Sequence, residues 1–398
     1  MECDRTQPSN TQAPEKLEFA YTSKPTLQNL PLEVWMMIVD FCRVHDDERY
    51  HFGQVCPIHT PTLRNLSLTC RALRSFAEPL IVESVELKYR VIHDTKDRER
   101  SDQLLHYLEN HPEKNPRVKY LVLENWNDSC SALLRGEELP LWFGNYTNLR
   151  GIFFASVTFP PDILTALFKL PQIEFLEFRD PYVDSAVAAP EINFDSFGLK
   201  SLKIDIKKGH PAGRGFDTLG HLARGPSLEE LEYIADRFRI LSIGAEPVLP
   251  HTFRKLKSLR THEPISGSEW ERLVRFLRDI PNLLSIRLDP SSRGGPRGEM
   301  ELLPADMLPY LCQFSGNIIT AASFVGGRPV SKIVLLPSLG DRIEITRDSL
   351  ISLTATSIPL RVLHICEVYI LPEILHHVGS LFPWLEEFEW HVTDSEYL

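Results

Sequence analysis

The stretches Leu149-Arg150-Gly151-Ile152-Phe153-Phe154, Ile173-Glu174-Phe175-Leu176-Glu177-Phe178 and Leu360-Arg361-Val362-Leu363-His364-Ile365 share one pattern: apolar, two variable residues, apolar, one variable residue, then apolar or aromatic. Ten copies begin at Val118, Leu149, Ile173, Leu199, Leu228, Leu256, Leu283, Val330, Leu360 and Leu385. The weakest is Leu256-x-x-Leu259-x-Thr261. Start-to-start spacings are 31, 24, 26, 29, 28, 27, 47, 30 and 25 residues, so the 47-residue gap holds either a hidden copy or an inserted loop. In an extended segment the fourth and sixth residues point the same way. A following helical stretch such as 162–168, Trp270 to Leu277 or Leu371 to Leu381 can fold back over them. One such unit cannot bury its own apolar face, whereas a stack of them can. The pattern therefore predicts a solenoid whose parallel strands line one wall.

Composition sets the frame for that array. At 398 residues the chain fits a small module plus a longer one. Its 43% hydrophobic and 24% charged residues suit a globular protein, and no apolar run reaches membrane-spanning length. A net charge of -11 opposes binding to nucleic acid or anionic lipid. The seven cysteines are odd in number and scattered, which implies free thiols and a reducing compartment, cytoplasm or nucleus. Residues 1–26 read as a disordered leader without a secretory pattern.

Ahead of the repeats, Leu30-Pro31-Leu32-Glu33-Val34 opens an amphipathic helix in which Leu30, Val34, Ile38 and Phe41 share a face. A polar loop over 44–61 follows. A second helix carries Leu63, Leu66, Ser67, Cys70, Leu73 and Phe76 on one side and ends before Pro79, after which residues 81–87 alternate like a strand.

Helical module first and repeats after, with Leu30-Pro31-x-Glu33-Val34, Ile38 and then Leu66-Ser67-Leu68-Thr69-Cys70-Arg71-Ala72-Leu73, this chain resembles the fungal-type F-box proteins with irregular leucine-rich repeats. Those are substrate receptors of SCF cullin-RING ubiquitin ligases. The resemblance implies an α/β chain: a small all-helical F-box module over 27–87, then an irregular leucine-rich-repeat horseshoe over 88–398 with its parallel sheet on the concave side and a loop inserted near 290–329. It implies a non-catalytic substrate-recognition subunit. The adaptor Skp1, and through it a cullin, would be held by Leu30, Pro31, Glu33, Val34, Ile38, Leu66, Leu68, Cys70 and Leu73, and a target protein by the repeats. Three departures stand out. The 44–61 loop lengthens the link between the helices, the aromatic often found near Leu73 in the family is missing, and the position that usually carries Asn or Cys holds Trp126, Val157 and Val368, so no regular Asn ladder forms. A repeat scaffold without ligase association remains the alternative.

The fifth position of the repeat faces the wall and reads Val122, Phe153, Glu177, Lys203, Glu232, Arg260, Arg287, Val334, His364 and Glu389. Lys257, Arg260, His262 and Arg287 form its most basic part, a seat for an acidic or phosphorylated segment because guanidinium forks match those groups. Ordinary pairing with Glu229, Glu230 and Glu232 is the plainer account. In the long loop, Cys56-Pro57-Ile58-His59 with His45 and His51 has metal-ligand spacing. Zinc folds pair two close doublets and only one is present, so a solvated loop fits better and no metal or other cofactor is expected. Trp126, Trp142, Phe153 and Phe154 read as repeat core, and Trp384 and Trp390 as the cap that closes the stack. No phosphate-binding loop, nucleophile elbow or H-E-x-x-H occurs, which argues against an intrinsic enzyme.

Overall fold

A computed structural model describes residues 33–37, 61–69, 71–89, 95–126, 143–159, 167, 170–183, 198–206, 219, 222–223, 225–235, 253–264, 266–290, 302–304, 306–337, 345–366 and 372–391. The chain divides into two compact units, Met1–Ile81 and Val82–Leu398.

In the first unit, α1 (33–37), α2 (Pro61–Thr69) and the body of α3 (Arg71–Glu83) surround a small core of Trp35, Leu73 and Ala77, flanked by Leu66, Phe76, Leu80 and Ile81. The sequence pattern ends the second helix before Pro79, but α3 runs through that residue to Glu83. Proline removes one backbone donor from a helix. Here Leu80 and Ile81, beyond it, pack on the Trp35 cluster, and that burial offsets the missing bond.

The second unit is built on a twelve-stranded sheet with every pair parallel. Its strands are β1 (Ser84–Lys88), β2 (Tyr120–Glu124), β3 (Gly151–Ala155), β5 (Phe175–Arg179), β7 (Ser201–Ile206), β8 (Glu230–Ala235), β9 (Ser258–His262), β10 (Ser285–Asp289), β11 (Gln313–Gly316), β12 (Lys332–Leu335), β13 (Val362–Cys366) and β14 (Glu387–His391), in chain order across the sheet. β4 (Thr158–Phe159) and β6 (Tyr182–Val183) pair separately. Residues 84–88, grouped by the sequence pattern with the helical module, are thus the sheet's first strand. Their alternation gives Val85 and Leu87 a buried row to join, beside Leu121 and Leu123.

The registers place equivalent residues side by side. Leu121, Ile152, Leu176, Leu202, Leu231, Leu259, Ile286, Phe314, Ile333 and Leu363 make one unbroken buried row. The first positions of the copies, from Val118 to Leu360, are buried as well. Each buried leucine contributes about 2 kcal/mol, against at most about 1 kcal/mol for an exposed ion pair, so these apolar rows hold the stack.

Asn125, Ser156 and Asp180, each two residues past the sixth position, adopt positive φ values of 59°, 52° and 48°. Their amides donate across to Ala155, Arg179 and Asp205, the last residues of the neighbouring strands or close to it, at 2.7 Å. The chain turns off the sheet at these residues. Where an asparagine ladder would sit, Trp126 is buried instead, its indole Nε1 donating to the Leu87 carbonyl at 3.2 Å, and Val157 is fully enclosed.

Behind the strands lie α4 (Thr95–Asn110), α5 (Gly267–Arg278), α6 (Ile318–Val325), α7 (Arg347–Leu353) and α8 (Pro372–Leu381). Ser266 caps α5 by accepting from the Glu269 amide, and Trp270, Leu273 and Leu277 form its buried face. Thr346 and Ser349 exchange side-chain and backbone bonds as a capping box on α7.

The region near 290–329 is not a loop insertion through its described part. Leu311-x-x-Phe314-x-Gly316 is an eleventh copy whose strand, β11, pairs with β10 and β12, followed by the buried helix α6. Its sixth position is glycine because Phe314 occupies the space: a Cβ at Gly316 would lie 2.8 Å from Phe314 Cζ. Arg328, predicted as turn chemistry, is 1% exposed. Its guanidinium donates to the carbonyls of Met307 (2.8 Å), Phe324 (3.0 Å), Gly326 (2.9 Å), Leu303 (3.3 Å) and Pro304 (2.6 Å). One side chain thereby supplies the donors that this irregular backbone lacks.

At the other end, Trp384 and Trp390 do not close the stack among the described residues. Trp384 is 71% exposed, and Phe388 and Trp390 on the last strand are more than a third exposed.

Candidate functional site: the outer face of the sheet

The side of the sheet away from the buried rows carries the fifth positions, and the pairings align Glu86, Val122, Phe153, Glu177, Lys203, Glu232, Arg260, Arg287, Ser315, Val334, His364 and Glu389 in one row. From Glu177 to Arg260 unlike charges alternate along it, and Arg287 then stands beside Arg260. At the first strand, Lys88 Nζ lies 2.7 Å from Glu86 and 3.3 Å from Glu124. Burial works against its charge, but the two carboxylates outweigh burial and hold the ammonium above its ordinary range. Arg179 donates to Glu177 at 2.8 Å.

The centre of the row is a relay. Lys203 Nζ lies 3.2 Å from Glu232 Oε1, and Arg260 Nη1 donates to the same oxygen at 2.8 Å. Arg260 Nε donates to Asp289 Oδ2 at 2.6 Å, and Arg287 Nε donates to Asp289 Oδ1 at 2.8 Å. Burial pushes Glu232 above the usual carboxylate range, with Arg260 and Lys203 pulling the other way. Parallel pairing is the reason these groups meet: Lys203 and Glu232, 29 apart in sequence, and Glu232 and Arg260, 28 apart, become lateral neighbours about 5 Å apart, and Asp289 lies diagonally across from Arg260.

All four residues predicted to bind a target are described. Arg260 and Arg287 are neighbours on β9 and β10, and His262 is opposite Asp289. Lys257 precedes β9 and donates to Glu229 at 2.6 Å, a bond that lowers the Glu229 carboxyl. An acidic segment arriving here would compete with Asp289 and Glu232 for the guanidinium forks. The row extends beyond the predicted patch through Asp289, a position outside the fifth-position list; its place two residues after Arg287, on the same strand face, was the signal available.

Just past β9, the Glu263 carboxyl is buried at 2% exposure, and no hydrogen bond of ordinary geometry reaches either oxygen. Burial pushes it up to about 7, offset in part by the nearby side chains of Thr320 and Asn317.

On the small helical unit, Leu73 belongs to the core and Leu66 packs at its edge, while Leu68 is 70% exposed, Glu33 is exposed and Val34 half-buried. Leu30, Pro31, Ile38 and Cys70 lie outside the described residues, as do Trp142 and the His45, His51, Cys56 and His59 group. Exposure also marks Met36 and Met37, which the motif did not single out. A groove of about 290 Å³ lies at the N-terminal ends of β13 and β14, lined in part by Ile358, Pro359, Phe382, Pro383 and Trp384. No helix among the described residues is long and apolar enough to cross a membrane.

Strand-and-turn copies stacked into one parallel sheet, with apolar rows inside and a polar row outside, define a mixed α/β solenoid of the leucine-rich-repeat type. No protein-family model matches the chain, and no curated protein matches it in sequence. Similar solved structures include the leucine-rich repeat domain of APL1B, at 12% identity over 76% of this chain and 75% of that one, TM-score 0.30. A second is a Bacteroides fragilis protein at 14% identity and TM-score 0.30, over 50% of this chain. The match spans 66% of the length of the Bacteroides protein.

Proposed function

We propose that the chain is a non-catalytic substrate receptor of an SCF-type ubiquitin ligase, its helical unit docking on Skp1 and, through it, a cullin, while the outer face of the sheet holds a target protein in the cytoplasm or nucleus. The observation that carries this reading is the apolar surface of the helical unit. Its core is already filled by Trp35, Leu73 and Ala77, yet Met36, Met37 and Leu68 are exposed at 51%, 70% and 70%. Exposed apolar side chains on helices are the anchors that helix-in-groove recognition uses. The sequence around them, Leu30-Pro31-x-Glu33-Val34 and Leu66 to Leu73, supplies the resemblance. The polar wall, with paired rather than lone charges, suits a protein partner that exchanges ion pairs at its rim. In a ligase the receptor contributes proximity, raising the effective concentration of target beside the partner enzyme.

The testing experiment is co-purification of the full chain with Skp1, next to a variant carrying Met36→Glu, Met37→Glu and Leu68→Glu. These side chains lie outside the unit's core, so circular dichroism should be unchanged. Capture by the wild type and its loss in the variant are expected. Failure of the wild type to bind would leave a repeat scaffold for protein interaction without a ligase.

A further inference from the structure

We propose that His364, Glu387 and Glu389 form a binding site for a divalent ion of the zinc class, which fastens the last strand, β14, to β13. One nitrogen or oxygen from each residue falls within 4.8 Å of the others. His364 Nε2 is 2.7 Å from Glu387 Oε1, and its Nδ1 is 3.5 Å from Glu389 Oε2. A tetrahedral zinc with bonds of about 2.0 to 2.2 Å holds its donor atoms roughly 3.3 to 3.5 Å apart, so donors within 4.8 Å of one another need small side-chain rotations to converge on one ion.

Placement of the group follows from the fold. The register sets His364 opposite Glu389 on neighbouring strands, and Glu387 is two residues earlier on the same side of β14. The imidazole is largely enclosed, at 14% side-chain exposure, whereas the carboxylates are about half exposed at 50% and 45%. A fixed nitrogen donor with two adjustable oxygen donors is the ligand set of a three-residue zinc site. Without the ion the two carboxylates face different ring nitrogens; the ion binds one nitrogen, and the flexible carboxylate that faces the other swings across to join it. Calcium and magnesium suit the site poorly, because they take oxygen donors in greater number. Two carboxylates neutralise the ion, and the fourth coordination position is open to water on the same face as the charged row. Two pairs further along, the backbone register brings Cys366 opposite His391.

The position gives such an ion a purpose. β14 is the last strand of the sheet among the described residues, and its inner residues Phe388 and Trp390 are more than a third exposed, so among those residues it has less apolar cover than the other strands. An ion spanning β13 and β14 supplies a link there. This inference is independent of whether the chain binds Skp1.

Zinc chloride titrated calorimetrically into the metal-stripped full chain tests it, beside His364→Gln and Glu389→Gln variants that leave His45, His51, Cys56 and His59 in place. The wild type should bind one more equivalent of zinc than either variant, or bind that equivalent more than about tenfold more tightly. Added zinc should also raise the melting temperature of the wild type and not of the variants. Glu389 is exposed enough that its amide variant should keep the fold even where His364→Gln does not. Absence of zinc binding by the wild type, or identical stoichiometry and affinity in Glu389→Gln, would overturn the proposal.

Discussion

Replacing Glu263 by glutamine should stabilise the repeat unit, and should do so in a pH-dependent way. The carboxyl is 2% exposed, and burial raises it from an ordinary value of 4.5 to about 7 against the smaller opposing pull of the Thr320 and Asn317 side chains. In the unfolded chain the same group ionises near 4.5, so between these two values the folded state binds more protons than the unfolded state. Stability contributed by the neutral group is therefore complete below about pH 4.5, falls as pH rises, and levels off above about 7. At about 1.4 kcal/mol per pH unit the total loss is about 3 kcal/mol. Glutamine mimics the neutral carboxyl and does not titrate. Wild type and variant should match near pH 4.5, and the variant should be more stable by about 3 kcal/mol at pH 8. For a unit of this size that difference is a shift of several degrees in melting temperature. The groups around the site, including Asp289 and Arg260, are common to both chains, so the difference curve isolates Glu263. Thermal unfolding followed by circular dichroism at half-unit steps from pH 4.5 to 8 measures it. Parallel curves, or a variant less stable than wild type at pH 8, would refute the view that an unsolvated carboxyl is held here at a cost.

Two further outcomes follow from the eleventh copy. Arg328→Met should destabilise the unit by about 3 to 5 kcal/mol, because five carbonyls lose their donor together, and Arg328→Lys should recover little of this since one ammonium cannot reach all five; denaturant melts of the two variants decide it. Gly316→Val should cost about 1 to 3 kcal/mol by forcing Phe314 from its place, and the pair Gly316→Val with Phe314→Leu should regain part of that loss in the same melts.

The apolar rows were legible in the chain itself. Leucine, isoleucine and phenylalanine at fixed offsets need only the two-residue period of a strand to share a face, and that period is local. From Val118 to Leu360, every first position that the pattern named is buried. The copy at Leu311 escaped because its sixth side chain is absent: Phe314 fills that volume from two residues away, a substitution visible only once both are packed. Pro79 misled for a similar reason, since the contacts of Leu80 and Ile81 lie outside the local rule that stops helices at proline. On the outer face, the fifth positions were readable one at a time, but their partners were not. Arg260 with Glu232 and Asp289, and His364 with Glu387 and Glu389, are more than 20 residues apart in sequence, except where they share a strand. The spacing between copies varies from 19 to 36 residues once β11 and β1 are counted among them, so no fixed offset announces which charges will be neighbours. Side-chain period determined which residues go inside; strand register, a property of the assembled sheet, decided which charges meet outside.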